Sequence, residues 1–147
     1  MKRKTPFYHT PSKHLFVIRI VTGAIFLFFG ILHLTHSENF HVLLRAAGIP
    51  FVVFSSIFIR VLDLFIGVFL IFGFHTRLVA AVGCLSSGFM IWVSVRVMQL
   101  PHTMLPDGLK EKPIYPPIFL TIIAFVFSLY LIFFGAGRWS LDNRSKK

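Results

Sequence analysis

The sequence predicts an all-α integral membrane protein: a four-transmembrane-helix bundle that forms a single membrane domain over residues 1–147. Its composition, its long apolar runs and the placement of its charges all favour this fold. Hydrophobic residues make up 56% of the chain and charged residues 14%, with a mean hydropathy of +0.80. Such a composition does not suit a water-soluble surface. The 19 phenylalanines exclude a disordered chain, and the single cysteine excludes an internal disulfide framework.

Four apolar runs have the length of a membrane span. A bilayer core is about 30 Å thick and a helix rises about 1.5 Å per residue, so a spanning helix needs about 20 apolar residues. The runs are too long and too continuously apolar to be strands of a membrane barrel. Prolines and glycines fall near their ends, where they suit helix starts and turns. We therefore expect spans at about 15–35, 51–73, 78–98 and 117–135.

The basic residues predict the direction of these spans. Nine of the 15 lie in the basic tails, residues 1–14 and 136–147, or in the second loop, and only three lie in the loops on the other side. The positive-inside rule then places both termini in the cytoplasm. The formal charge of +10 is explained as an insertion signal with some attraction to anionic lipid, so nucleic acid is not an expected partner. We expect a multi-pass protein of the bacterial inner membrane.

Two connecting segments have recognisable character. Residues 38–47 predict a short amphipathic helix that lies in the outer interface and is ended by Gly48 and Pro50. The loop 99–116 holds four of the chain's eight prolines. Proline fixes φ and removes a backbone donor, so this loop is expected to be a semi-rigid cover or turn and not another helix.

Ionisable residues inside the spans are the main functional candidates. A charge at the bilayer centre costs at least about 2.5–3.5 kcal/mol on insertion scales. Arg60 and Asp63 are three residues apart, so they share a helix face and could form a structural ion pair. Arg19 and Arg96 lie about two turns from opposite membrane faces, and their long side chains could instead extend to lipid phosphates. His33 lies near the outer end of the first span.

One stripe of the first span carries polar and small residues at a 4-3-4-3 spacing: Arg19, Gly23, Phe26, Gly30 and His33. Gly67 continues the face of Asp63 in the second span. Two such stripes can pack antiparallel, since glycines let helix backbones approach closely in membranes. This packing would bring the Arg19 side chain toward Asp63. Three arginines against one aspartate leave an excess of positive charge within the membrane, as a pocket for an oxyanion, a lipid headgroup or a quinone oxygen requires.

The third span carries small residues at four-residue spacing, namely Ala80, Cys84 and Gly88. This spacing is typical of close helix contact, so we interpret these three residues as packing positions. Cys84 has no second cysteine for dithiol exchange. Spans two, three and four contain no histidine, so we expect neither a haem nor another metal.

Four segments in order resemble the DoxX family, and together they cover about residues 15–142. They are the first span (RIVTGAIFLFFGILHL), the loop ending in AAGIP, the acidic second span running to GVFLIFGFHTRLVA, and the terminal FFGAGRWSLD. The terminal segment is similar to the family's ending through Gly135, Gly137, Arg138, Ser140 and Asp142. The resemblance implies a four-helix membrane bundle. Asp63 stands where the family usually has glutamate, and His33 where lysine is frequent.

The resemblance also implies a function. The family takes its name from a membrane subunit of a thiosulfate:quinone oxidoreductase, and other members are linked to membrane redox-protection complexes with sulfur-transfer and superoxide-removing partners. We therefore expect an accessory or anchor subunit of a quinone- or sulfur-linked redox complex. A quinone is the candidate cofactor, and other subunits or a second copy are the candidate partners. The residues leave open a small transporter, a lipid-binding protein or an inactive scaffold, and they do not favour an autonomous enzyme.

Overall fold

The structure is a computed structural model that describes residues 13–101 and 118–135. The described residues form five α-helices and no strand, which confirms the all-helical prediction. The ends of the four predicted spans differ from the observed helix ends by at most two residues. The helices are α1 (Lys13–Thr35), α2 (Ser37–Ala46), α3 (Val52–Phe72), α4 (Thr76–Met98) and α5 (Ile118–Phe134).

Three of these helices, α1, α3 and α4, are long and apolar enough to cross a membrane. The apolar helix α5 has 17 residues, which gives a length of about 26 Å. Large apolar side chains are exposed along the helices, among them Phe54 at 71%, Phe65 at 56% and Phe119 at 66%. Continuous apolar surface of this kind suits lipid and is rare on soluble monomers. The chain is an integral membrane protein.

Helices α1 and α3 pack closely through their glycines. A Cβ atom built on Gly23 would lie 2.9 Å from the carbonyl oxygen of Gly67, and one built on Gly67 would lie 2.9 Å from the carbonyl oxygen of Gly23. Farther along α1, a Cβ atom on Gly30 would lie 3.2 Å from the backbone nitrogen of Leu64. Residues of increasing number on α1 thus contact residues of decreasing number on α3, so the two helices run antiparallel. Small residues make this approach possible.

The main core joins α1, α3, α4 and α5. Gly83 in α4 lies against the Phe26 ring of α1, at 3.1 Å from an added Cβ atom. Ala80 is fully buried, Gly88 faces the Phe125 ring of α5, and Cys84 is a free, half-buried thiol. The small residues of α4 therefore contact two neighbouring helices. The buried core side chains are Phe26, Phe29, Ile66, Leu70, Val79, Ala80, Ala124 and Leu131.

The short helix α2 packs against α3 and α4. It corresponds to the amphipathic helix expected at 38–47, and it ends before Gly48, whose φ is +77°. The Ile49 amide donates to the carbonyl of Leu44 at 3.1 Å, which closes the last turn. The apolar face of α2 is buried in protein, and its location in the membrane interface stays a prediction. Phe40, Leu43 and Leu44 pack there against Ile59, Met90, Val93 and Val97.

Several expectations fall outside the described residues. They are the proline-rich cover beyond Pro101, residues 1–12 of the first basic tail, all of the tail 136–147, and with it the terminal motif residues Gly137, Arg138, Ser140 and Asp142. Gly135 is described. It follows α5 with a φ of +80°, and its amide donates to the carbonyl of Leu131 at 2.8 Å. Glycine suits this left-handed position at the end of a helix.

Candidate functional site

A buried polar cluster lies between α1, α3 and α4. Its centre is the Asp63 side chain on α3, which is only 2% exposed. The Ser86 hydroxyl on α4 donates a hydrogen bond to Oδ1 of Asp63 at 2.9 Å. On the other side, Nδ1 of His33 on α1 lies 3.7 Å from Oδ2 of Asp63. We name His33, Asp63 and Ser86 the Asp63 cluster.

The helix packing positions each member of this cluster. The glycine contacts between α1 and α3 bring His33 close to Asp63, because Gly30, one turn before His33, lies against Leu64. The His33 ring then stacks on Phe40 of α2, with 4.1 Å between ring centroids and an interplanar angle of 21°. Helix α2 therefore covers one face of the imidazole. The buried face of α4 supplies Ser86.

A small cavity adjoins the Asp63 cluster. Its volume of about 10 Å³ is close to the smallest that holds one water molecule. Neither nitrogen of His33 has a hydrogen-bond partner within the described ranges, since 3.7 Å is too long for such a bond. A quinone ring is much larger than one water and does not fit in this cavity. The remaining lining residues are Phe26, Phe29, Ser87, Met90 and Thr121.

The chemistry of the Asp63 cluster centres on one proton. Burying a charge is costly unless an opposite charge or hydrogen bonds compensate it. With the proton on His33, the imidazolium and the carboxylate form an ion pair; with the proton on Asp63, both side chains are neutral. In both states a single proton leaves the pair without net charge. The arrangement can therefore hold a proton at either of two buried positions.

Arg60 does not form the ion pair with Asp63 that the three-residue spacing suggested. Its Nε donates to the carbonyl of Ser56 at 2.9 Å, and its Nη2 donates to the Ser56 hydroxyl at 2.8 Å and to Nε2 of His41 at 2.9 Å. Side chains on a helix lean toward its N-terminus. The long Arg60 side chain therefore extends one turn back, away from Asp63, and is held by α2.

The other two arginines also lie away from Asp63. Arg19 is 1% exposed, and its guanidinium lies over the Phe16 ring at 5.3 Å from the centroid. Arg96 is exposed, with its guanidinium 5.7 Å from the Trp92 ring centroid. In the described parts of the chain, the carboxylate of Asp63 pairs with His33 and Ser86 and with neither arginine. The expected approach of Arg19 and Arg60 to Asp63 is therefore not observed, and that part of the interpretation is wrong.

Ser86 and Thr121 are site residues that the sequence reasoning missed. A serine in an apolar helix commonly bonds a carbonyl of its own helix. Ser87 and Ser94 do this, since their hydroxyls donate to Gly83 at 2.7 Å and to Met90 at 2.9 Å. The sequence alone does not separate Ser86 from these two neighbours. The available signal was its place on the same face of α4 as Gly83, which marks the side that meets α1.

Comparison with known proteins gives one family. The DoxX family model matches residues 14–96, which is more than half of the chain and includes every member of the Asp63 cluster. The terminal motif that begins at Gly135 lies beyond this match. No match to the chain was found among the curated proteins or among the solved structures. The resemblance seen in the sequence is thus confirmed, and the chain belongs to the DoxX family.

Proposed function

We propose that this DoxX membrane protein is an accessory subunit of a redox complex in the bacterial inner membrane, and that the Asp63 cluster holds and releases a proton within that complex. In this proposal α5 crosses the membrane as a fourth span, and both termini lie in the cytoplasm. The observation that carries the proposal is the buried contact of Asp63 with His33 and Ser86. The membership of the DoxX family supports the redox context.

The placement of these groups supports a role in proton exchange. Ionisable side chains inside membrane segments are costly and commonly mark proton or ion pathways. Here a carboxylate and an imidazole 3.7 Å apart lie beside a cavity with room for about one water molecule. A water in that position would have the cluster's polar atoms as hydrogen-bond partners. The proton can then move between Asp63 and His33 without leaving an unpaired buried charge.

The size of the cavity supports a subunit over an enzyme that acts alone. Sites for organic molecules are typically hundreds of cubic ångströms in volume. The cavity beside Asp63 measures about 10 Å³. We therefore place the electron carriers on partner subunits, and we propose a quinone for the complex as a whole, outside this cavity. The chain's own residues would contribute proton exchange and membrane anchoring.

A purely structural scaffold is the second candidate function. The members of the Asp63 cluster belong to three different helices, so their contacts also tie the bundle together. A transporter is favoured less, because α1, α3 and α4 are uninterrupted helices, whereas many transporters bind their substrates at broken ones. The two candidate functions predict different activities for a variant in which Asp63 loses its charge but keeps its shape: a scaffold retains activity, and a proton-exchanging site loses it.

The test is co-purification from native membranes followed by quinol-linked activity of the isolated complex. Asp63→Asn keeps a carbonyl oxygen that can accept from Ser86 but cannot hold the proton. Ser94→Ala is the matched control, because it changes a buried polar residue of α4 whose hydroxyl, among the described residues, bonds only its own helix. We expect Asp63→Asn to assemble normally and to lose activity by about tenfold or more, with Ser94→Ala unchanged.

Two outcomes would contradict the proposal, and they separate its parts. If the wild-type protein co-purifies with no oxidoreductase subunit, the proposal that it belongs to a redox complex is wrong. If Asp63→Asn assembles into the complex and retains full activity, the proton role is wrong and the scaffold is favoured.

A further inference from the structure

A second buried polar cluster lies where α2 meets α3. It consists of His41 on α2 and of Ser56 and Arg60 on α3, and we name it the Arg60 cluster. Nη2 of Arg60 lies 2.9 Å from Nε2 of His41 and 2.8 Å from the Ser56 hydroxyl, which is itself 2.6 Å from the same His41 nitrogen. Ser56 is fully buried and Arg60 is 8% exposed.

The Arg60 cluster holds a positive charge against neutral groups. Arginine stays protonated in proteins, so the guanidinium is charged. Its hydrogen bonds go to a carbonyl, a hydroxyl and an imidazole. Within residues 13–101 and 118–135 no carboxylate lies at ion-pairing distance from it, since Asp63 faces His33. A buried charge held only by neutral groups is stabilised further by a counter-charge.

The hydrogen-bonding pattern shows which donors remain. Arg60 can only donate, so Nε2 of His41 acts as the acceptor. The imidazole is therefore neutral, with its proton on Nδ1. The described contacts use Nε and Nη2 of Arg60 and leave Nη1 with two N–H groups. The N–H groups of a guanidinium form charge-assisted hydrogen bonds with the oxygens of phosphate and similar oxyanions.

The depth of the guanidinium suits a ligand at the membrane surface. Arg60 lies eight residues after Val52, about 12 Å along α3 from its start. Its side chain extends back to Ser56, which is only about 6 Å from that start. His41 borders the cluster and is half-buried, so the cluster approaches the surface beside α2. Since the 21 residues of α3 give a length of about 32 Å, Ser56 lies within the first fifth of the helix.

We propose that the Arg60 cluster is a binding site for an oxyanion, either the phosphate of a lipid headgroup or a free tetrahedral oxyanion. The guanidinium supplies the charge and the two remaining N–H groups of Nη1, while His41 and Ser56 fix its orientation. The site is separate from the Asp63 cluster. It requires no partner subunit, so it stands or fails independently of the redox proposal.

The wild-type protein tests this site in two arms. Delipidated protein in detergent is titrated with phosphatidylglycerol or with a diacylglycerol of the same chains, and retained lipid is measured by native mass spectrometry. In parallel, sulfate and inorganic phosphate are compared with chloride in thermal unfolding at constant ionic strength. A preference of about tenfold or more for the phospholipid identifies a headgroup, and stabilisation by the free oxyanions identifies a soluble ligand. Failure of both arms overturns the proposal without any variant.

A matched pair of variants then locates the binding. Arg60→Gln removes the charge from the cluster, whereas Arg96→Gln removes the same charge from an exposed arginine of α4. We expect Arg60→Gln to weaken oxyanion binding by about tenfold or more, because charge-assisted hydrogen bonds are lost. Arg96→Gln should bind as the wild type does. Equal losses in the two variants, or no loss in Arg60→Gln, would show that the oxyanion binds elsewhere.

Discussion

Replacing Gly67 by alanine should weaken the packing of α1 on α3. The added Cβ atom would lie 2.6 Å from Cγ of Leu27, 2.8 Å from the backbone nitrogen of Leu27 and 2.9 Å from the carbonyl oxygen of Gly23. Two of these three atoms belong to the backbone of α1, so no side-chain rotation relieves them. The helices must therefore separate at the point where the Asp63 cluster depends on their approach.

The magnitude follows from two opposing effects. Overpacking a well-filled interior costs about 1–3 kcal/mol, and this site lies toward the upper end because backbone atoms are involved. Alanine has a better helix propensity than glycine, which returns about 0.8–1.0 kcal/mol. We expect Gly67→Ala to lower the free energy of unfolding by about 1–2 kcal/mol. The assay is reversible unfolding in detergent micelles by titration with sodium dodecyl sulfate, followed by circular dichroism.

Gly88→Ala is the control within the same protein. Its Cβ atom would lie 3.4 Å from the Phe125 ring, at ordinary van der Waals distance. The propensity gain then acts alone, so stability should stay the same or rise by up to about 1 kcal/mol. Two results would contradict the close approach of α1 and α3. One is a Gly67→Ala variant as stable as the wild type, and the other is a Gly88→Ala variant whose free energy of unfolding falls as much as that of Gly67→Ala.

Three further variants test other parts of the structure in the same unfolding assay. Ser86→Ala should lose about 1.5–3 kcal/mol of stability, because it removes a hydrogen bond to a buried carboxylate; Ser94→Ala should lose less. Ser128→Ala should be neutral or stabilising by about 1 kcal/mol, since this buried hydroxyl has no partner among the described residues. Leu43→Ala should lose about 2–5 kcal/mol and make α2 susceptible to proteolysis, because Leu43 is fully buried against α3 and α4.

The helices could be predicted from the sequence because lipid imposes a simple rule. Every backbone group in a bilayer must be bonded within the chain, so an apolar run of about 20 residues becomes a helix. The helix α2 was predictable from a different signal, namely its amphipathic pattern, with Gly48 and Pro50 marking its end. The antiparallel contact of Gly23 with Gly67 also followed from the pattern, because small residues at helical spacing have few other uses in a membrane.

The partners of the charged residues could not be predicted in the same way. Spacing along one helix places Arg60 and Asp63 on a common face, but it does not show that α2 brings His41 into reach of the arginine. That contact is 19 residues apart in sequence and depends on the way α2 packs against α3. The same holds for Ser86, whose bond to Asp63 spans 23 residues. Long-range polar contacts depend on helix rotation, which hydrophobic patterning fixes only coarsely.

The most direct test of the proton role is redox-induced infrared difference spectroscopy on the isolated complex. A change in protonation or hydrogen bonding of Asp63 would produce a carboxylic acid C=O band on reduction or oxidation of the complex. We predict that this band is absent in Asp63→Asn, shifted in Ser86→Ala and unchanged in Ser94→Ala. Identical difference spectra for the wild type and Asp63→Asn would contradict a proton-exchanging role for the Asp63 cluster.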